Sequence, residues 1–388
     1  MTMRLLIAAG GTGGHIYPAL AVARSLSAGH DAPELSWLGG HRGFEASIVP
    51  AARIPLRRLV ARSLRTTELD VHAVLDPLRL AISVPQASAI LVRERPAAIF
   101  TTGGYVAVPV LMAAAPLRIP VVMWDGNVIP GRAVRATARL ADALAVSFET
   151  TCRSLTAAAP GRPCYVTGTP IRDISTLDRV AARARMDVPA GERVLLIFGG
   201  SQAVRRFNTA VADALPRLAE RVTVIHVTGD DGYAAALAGR EALPAGTRAR
   251  YRPYPFLREE MLAALASADL VVGRAGSSTL AEVSALGIPI VVVPYPHAAG
   301  HQRANAASLV DAGAARLIDD EGFDAEALLE AAMILDDPTT HARMSAAARS
   351  LGRPGAADAV AELVLAAARR QPFPDSAGIE RIARGSAA

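Results

Sequence analysis

A chain of 388 residues with 51% hydrophobic side chains is long enough to bury the cores of two ordinary domains. Its net charge of +5 comes wholly from arginine, since no lysine occurs. Arginine suits phosphate as a fork-shaped donor, but no basic cluster is interleaved with aromatics, which argues against nucleic acid as the main partner. No apolar stretch is long enough to cross a bilayer, and the opening run Leu5–Ala9 is too short for a signal peptide. The two cysteines, Cys152 and Cys164, lack metal-ligand spacing and are read as forming no disulfide framework, in keeping with a reducing compartment. The expectation is a cytosolic chain unless it docks on a membrane surface.

In chain order, short apolar runs alternate with helical stretches. The first half gives strands at Leu5–Ala9, Leu35–Leu38, Ile54–Leu59, Ala98–Thr101, Val121–Trp124, Ala143–Val146 and Tyr165–Thr167. After a compositional break at Gly168-Thr169-Pro170-Ile171-Arg172 the pattern restarts, with strands at Val194–Phe198, Val222–Val227, Ala249–Arg252, Leu270–Val272, Ile290–Val293 and Arg316–Ile318. Ala325–Leu335 and Ala356–Arg370 read as closing helices, and the tail from Gln371, with its prolines and glycine, reads as loose. Such alternation predicts an α/β protein built of two doubly wound parallel-sheet domains, with ligands at the carboxyl ends of the strands and a cleft between them. The boundaries expected are 1–168, 169–350, a closing helix at 351–370 returning to the first domain, and the tail 371–388.

Candidate chemistry sits at those strand ends. Gly10-Gly11-Thr12-Gly13-Gly14-His15 follows the first strand, and its small residues let the backbone approach an anion. Ile16 stands where a third glycine of the dinucleotide fingerprint would be, and the end of strand two lacks the acidic ribose ligand, which argues against an NAD site. At a helix start His15 would be kept neutral, as a base requires. In the second half Arg274-Ala275-Gly276-Ser277-Ser278-Thr279-Leu280-Ala281-Glu282 reads as a turn and a helix start suited to a diphosphate, with Glu282 one turn on and able to grip a ribose. Gly199-Gly200-Ser201-Gln202 is a weaker nest. His297 and His301 are four apart, but the residues between them supply no helix and no glutamate, so no metal is expected. Gln302 and Asn305 suit sugar hydroxyls instead. Asp230-Asp231 reads as a turn. Between strands three and four, Val71, Val74, Leu75, Leu78 and Ile82 form an apolar stripe flanked by Arg62, Arg65 and Arg79. It is either a face packed on the sheet or one that rests on an anionic bilayer.

These motifs, with Gly103-Gly104-Tyr105 and His301-Gln302-x-x-Asn305, occur in an order that resembles the MurG family over about residues 4 to 370. The resemblance implies a GT-B glycosyltransferase fold. It also implies an inverting transfer, without metal or other cofactor, of N-acetylglucosamine from UDP-N-acetylglucosamine to the C4 hydroxyl of the muramoyl sugar of lipid I. The acceptor would be undecaprenyl-pyrophosphoryl-MurNAc-pentapeptide and the product lipid II, which places the chain in peptidoglycan synthesis, cell-wall growth, shape and division. The setting implied is the cytoplasmic face of the bacterial membrane, held peripherally on an anionic surface. Carried over by position, Glu282 would hold the ribose, Ser277, Ser278 and Thr279, with Leu280 and Ala281, would face the diphosphate, and Ser201 and Arg172 would complete the nucleotide site. Leu257 would line the uracil pocket by its backbone. Gln302, Asn305 and Asn127 would hold the sugar, with Thr12, Gly13 and Gly14 closing over it. His15 resembles the general base, and Asp125 is the other ionisable candidate. Two departures stand out: Trp124-Asp125-Gly126-Asn127 replaces the family's His-Glu-Gln-Asn, and Ala203 follows Gly-Gly-Ser-Gln where the family has glycine. The alternatives within this fold are a UDP-N-acetylglucosamine 2-epimerase and a non-catalytic nucleotide-sugar-binding protein.

Overall fold

The computed structural model describes residues 2–385 except 30, 42, 61–71, 200–204 and 297–299, and the side chains of 72–78 are not described either. The chain divides into two compact units, Met1–Arg172 together with Arg353–Ala388, and Asp173–Gly352.

In the first unit the elements run β1 (Arg4–Ala8), α1 (Gly13–Ser27), β2 (Glu34–Gly40), α2 (Glu45–Ala51), β3 (Leu56–Leu59), α3 (His72–Glu94), β4 (Ala98–Thr101), α4 (Gly104–Leu117), β5 (Val121–Asp125), α5 (Arg132–Thr137), β6 (Ala143–Val146), α6 (Glu149–Ala158) and β7 (Cys164–Val166). The strands pair in parallel in the order β3-β2-β1-β4-β5-β6-β7. Each central strand is apolar on both faces, as a sheet covered on both sides demands. Leu5 and Ile7 enter one core with Ile16, Val22 and Leu363, while Leu6 and Ala8 enter the other with Ala87, Leu91 and Val110.

The second unit runs α7 (Arg179–Arg185), β8 (Val194–Phe198), α8 (Arg205–Ala219), β9 (Thr223–Val227), α9 (Asp230–Ala242), α10 (Ala245–Arg248), β10 (Tyr251–Tyr254), α11 (Met261–Ser267), β11 (Leu270–Gly273), α12 (Ser277–Leu286), β12 (Ile290–Val292), α13 (His301–Asp311), β13 (Ala315–Leu317), α14 (Ala325–Ala332) and α15 (Pro338–Leu351). Its parallel order, β10-β9-β8-β11-β12-β13, repeats the plan of the first sheet. In each sheet the strand order reverses beside the first strand of that unit, between β1 and β4 and between β8 and β11. Those two switch points are where a doubly wound sheet leaves a crevice for a ligand. The chain then returns to the first unit as α16 (Ala356–Ala368), which packs on α1, β4 and β5, and α17 (Ser376–Ala383), which packs on α16 and β7.

The structure corrects four expectations. The tail is not loose through residue 385: Asp375 accepts the Gly378 N–H and caps α17, and Ile379 and Ala383 are buried against the first core. The prolines at 372 and 374 deliver the chain to that cap instead of breaking a helix, and Phe373 packs on Tyr165 at 6.5 Å. Asp230 and Asp231 open α9 rather than forming a turn alone, in the first turn where acidic side chains suit the dipole. Cys152 and Cys164 are joined by a disulfide, with Cα atoms 5.8 Å apart. Residue spacing could not show this, because α6 folds back against β7 and sets the two side chains together. Finally, α15 forms where the sequence pattern predicts no helix. It has no apolar stripe, but Asp337 accepts the N–H groups of Thr339 and Thr340, and Pro338 opens the helix.

Among the described residues no helix is long and apolar enough to cross a membrane, and no group of three or more metal-ligating side chains forms. Of the apolar stripe read before β4, only Ile82 and Arg79 have described side chains. Ile82 is 49% exposed, while Ser83, Ala87 and Leu91 form the buried face of α3. Arg62, Arg65, Val71, Val74, Leu75 and Leu78 lie outside what is described.

Candidate functional site

At the first switch point, β1 ends in Ala8 and the chain turns through Gly11, whose φ of +100° favours a residue without Cβ. Thr12 is the N-cap of α1 in extended conformation without a side-chain capping bond, and its carbonyl accepts the His15 N–H at 3.1 Å. Thr12 and Gly14 are exposed, Gly13 is buried and His15 half-buried. The first N–H groups of a helix have no partner within it, so the start of α1 offers donors to a bound group.

The imidazole of His15 is held from the neighbouring strand. Its Nδ1 lies 2.8 Å from the carbonyl of Thr102, and the Thr102 hydroxyl donates back to the His15 carbonyl at 3.0 Å. A carbonyl only accepts, so Nδ1 carries a proton, and in the neutral ring it is Nε2 that has the lone pair. Thr102 follows β4, and the next residues, Gly103 and Gly104, the N-cap and first residue of α4, both take positive φ. Gly104 faces the imidazole: a Cβ there would stand 3.7 Å from Cδ2 and 3.8 Å from Nε2.

Asp125, at the end of β5, is turned inward. Its Oδ1 accepts the Asn127 N–H at 2.8 Å and the Asn127 Nδ2 at 3.4 Å, and its Oδ2 accepts the Gly131 N–H at 3.1 Å. Only 5% of its surface is exposed. Burial raises its pKa above the ordinary carboxylate value, opposed by the Asn127 and Gly131 bonds and by the charge of nearby His15. The carboxylate thus organises loop 126–131. Asn127 is fixed from the other side by the Thr151 hydroxyl, which donates to the Asn127 carbonyl at 2.7 Å. Trp124, one of the departures from the family pattern, is buried and donates from its indole to the Gly168 carbonyl at 3.0 Å. Arg172 is half-buried at the end of this unit's first segment.

At the second switch point, α12 starts at Ser277 after Gly276, with no side-chain cap. Ser277, Ser278 and Thr279 ring its N-terminus, and the Ser278 Oγ is buried with no hydrogen-bond partner. A buried hydroxyl left open at a helix start is poised for an anion that would take its bond. Leu280 points into the core, whereas Ala281 and Glu282 are half-buried. Gly287, in left-handed conformation, ends the helix.

Arg274, read with this stretch as its first residue, is a buried anchor. It pairs with Asp320 at 2.6 Å, donates to the carbonyls of Val293 and Pro294, and lies over the rings of Phe207 and Tyr295 at 5.0 and 5.3 Å. It therefore holds the segment after β12 from which the next candidate rises. Gln302, second residue of α13, accepts the Tyr295 N–H on its Oε1 at 2.8 Å. Asn305 lies one turn along and is buried. Leu257 is buried between Phe256, 46% exposed, and Arg258, whose guanidinium covers the Phe256 ring at 5.4 Å. Ser201 and His297 lie outside the described residues.

His15, Thr12, Gly13, Gly14, Asp125 and Asn127 thus belong to the first unit, and the Ser277–Glu282 run, Leu257, Gln302 and Asn305 to the second. Two residues beside the first group carried no sequence signal. Thr102 sets the imidazole, and Glu45 is a fully buried carboxylate under the glycine turn. Both act through contacts across 34 to 87 residues of chain.

Comparison with known proteins agrees along the whole chain. Residues 5–146 match the glycosyltransferase family 28 N-terminal domain, and residues 194–362 match the glycosyltransferase family 28 C-terminal domain. A UDP-N-acetylglucosamine–N-acetylmuramyl-(pentapeptide) pyrophosphoryl-undecaprenol N-acetylglucosamine transferase of Desulforudis audaxviator is 37% identical, covering 93% of this chain and 98% of the relative. A transferase of the same name from Anaeromyxobacter sp. (strain K) is 38% identical, covering 95% and 94%. The crystal structure of Acinetobacter baumannii MurG superposes with a TM-score of 0.72 at 28% identity, covering 94% of this chain and 99% of that one. With two parallel α/β units and relatives of this closeness over nearly its full length, the chain belongs to glycosyltransferase family 28 and, within it, to the MurG family, whose fold class is GT-B.

Proposed function

We propose that the chain is an inverting glycosyltransferase. It moves N-acetylglucosamine from UDP-N-acetylglucosamine to the C4 hydroxyl of the muramoyl sugar of lipid I, forming lipid II for peptidoglycan. The observation that carries this reading is the near full-length similarity to transferases named for that donor and acceptor.

The residues support a direct displacement. The acceptor C4 hydroxyl gives its proton to Nε2 of His15, the nitrogen left unprotonated by the Thr102 contact. Its oxygen forms the new bond to C1 of the sugar from the face opposite UDP, and the C1–O bond breaks with its electron pair leaving on the diphosphate. That charge is met by the start of α12 and the hydroxyls of Ser277, Ser278 and Thr279, an anion site built before the reaction begins. Glu282 accepts the ribose hydroxyls, Leu257 borders the uracil, and Ser201 and Arg172 complete the nucleotide site. Gln302 and Asn305, with Asn127, Thr12, Gly13 and Gly14, hold the sugar. Asp125 acts as the brace of the Asn127 loop, and the base role falls to His15.

The lipid-linked acceptor implies that the chain works at the cytoplasmic face of the cell membrane, bound peripherally. Helices α3 and α4 pack together and α4 packs on α5. They expose Ile82, Met112 and Leu117, while α5 exposes Arg132 and Arg135, and the turn that follows it exposes Arg139. Apolar side chains beside arginines suit an anionic bilayer surface.

The deciding experiment is incubation with UDP-N-acetylglucosamine in the presence and absence of a short-chain lipid I analogue. Release of UDP only with the acceptor supports the transferase. Acceptor-independent formation of UDP-N-acetylmannosamine would make it an epimerase instead, and UDP binding without turnover would make it a binding protein.

A further inference from the structure

The glycines at the first switch point leave room for a side chain of the same unit. A Cβ added at Gly10 would stand 2.7 Å from Oε1 of Glu45, and one at Gly39 would stand 3.0 Å from its Cγ. At Gly43 it would overlap Oε2 of Glu45, and at Gly40 the hydroxyl of Tyr105. Four glycines, one after β1 and three at and beyond the end of β2, thus make space for one carboxylate and one phenol.

Glu45 is fully buried, and neutral groups donate to its carboxylate. The Gly11 N–H donates to Oε2 at 3.1 Å, and the Gly40 N–H and the Tyr105 hydroxyl donate to Oε1 at 3.1 and 2.9 Å. A buried carboxylate is costly unless its oxygens are bonded in this way. Burial first, then the charge of Glu45 and its bond, push the Tyr105 phenol well above its ordinary value, so the hydroxyl stays a donor.

The donors come from three places, the turn after β1, the end of β2 and the start of α4, and two of these bear on His15. Gly11 leads into Thr12, whose carbonyl receives the His15 N–H, while Tyr105 follows Gly104, which lies against the imidazole. We propose that Glu45 is a positioning residue for the transfer. Its carboxylate ties the Gly10–Thr12 turn to the Gly103–Tyr105 turn and so sets the direction in which His15 presents Nε2. This rests on the transferase reading above. Glu45 has no exposed surface, so it acts through Gly11 and Tyr105 and not on the sugar.

The test is a pair of double-mutant cycles with His15→Ala. Glu45→Gln sets an amide –NH2 against a donor N–H or O–H, and the misplaced imidazole is expected to lower kcat roughly a hundredfold. The dissociation constant for UDP, which carries no N-acetylglucosamine for that turn to hold, should not change. In the His15→Ala background the same substitution should add less than about twofold, because residues acting as one unit are not additive. Tyr105→Phe removes one hydroxyl and should lower kcat about tenfold, again only when His15 is present. It decides the matter if Glu45→Gln does not fold. The proposal is overturned by normal kcat in the variants, or by an undiminished loss in the His15→Ala background. Nitrogen-15 spectra of histidine-labelled protein read the same geometry without turnover. The wild type should show His15 protonated on Nδ1, and the variants a mixture of tautomers; unaltered His15 signals overturn the proposal. A wild type without transfer activity would refute the function, while the spectra still judge Glu45.

Discussion

Replacing His226 should remove an acid sensitivity from the second unit. His226 lies in β9 with 1% exposure, its Nδ1 is 2.9 Å from the Tyr251 hydroxyl, and its buried Nε2 has no hydrogen-bond partner. Burial lowers its pKa to about 3 from an ordinary 6.5. Between those values the unfolded chain binds the proton and the folded chain does not. Stability contributed by the neutral ring is therefore present above about pH 6.5 and is lost as pH falls towards 3, at up to about 1.4 kcal/mol per pH unit. At pH 5 the deficit is about 2 kcal/mol, and it stays near that figure for any folded value below about 4. His226→Phe carries no such proton. The assay is urea unfolding at pH 7.5 and pH 5 followed by far-ultraviolet circular dichroism, because both tryptophans, Trp37 and Trp124, lie in the first unit. The wild type should lose about 2 kcal/mol more than His226→Phe across that interval. Equal losses would refute the argument that the ring is held neutral by burial.

Two further outcomes follow from the site and from the surface. Glu282→Ala removes the charged acceptor for the ribose, worth roughly 1.5–3 kcal/mol, so calorimetry should show UDP binding weakened about ten- to a hundredfold; an unchanged dissociation constant would remove Glu282 from the nucleotide site. Ile82→Ser with Leu117→Ser should weaken binding to anionic vesicles while turnover of a water-soluble acceptor is retained, whereas undiminished vesicle binding would rule out the α3–α4 surface.

Much of the fold was legible because parallel strands buried on both faces read as unbroken apolar runs. Leu5–Ala9, Val194–Phe198 and Ile290–Val293 show this, each closed by glycine or proline. The strand-end turns were legible for a related reason: backbone that changes direction sharply needs small residues. What escaped the sequence depends on contacts between distant segments. The tail was misread because Pro372, Pro374 and Gly378 are local breakers, while the burial of Ile379 that docks α17 is a tertiary fact. The Cys152–Cys164 bridge and the Thr102 contact to His15 need α6 and β4 in place first. Glu45 is the sharpest case. It is the first residue of a short helix, where a glutamate is ordinarily solvated, and only the folded turns reveal that Gly10, Gly39, Gly40 and Gly43 surround it or its phenol partner. Arg274, the first residue of the Arg274–Glu282 stretch, likewise takes its place only in the fold, bound inside the unit to Asp320 and two carbonyls.

The most direct measurement is the turnover of wild type and His15→Ala on UDP-N-acetylglucosamine and a short-chain lipid I analogue, with UDP binding measured in parallel. The account predicts acceptor-dependent UDP release by the wild type, a loss of about 10²–10⁴-fold in His15→Ala, and the same UDP affinity in both. Undiminished turnover by His15→Ala would contradict the assignment of the base, and UDP release that ignores the acceptor would contradict the transfer itself.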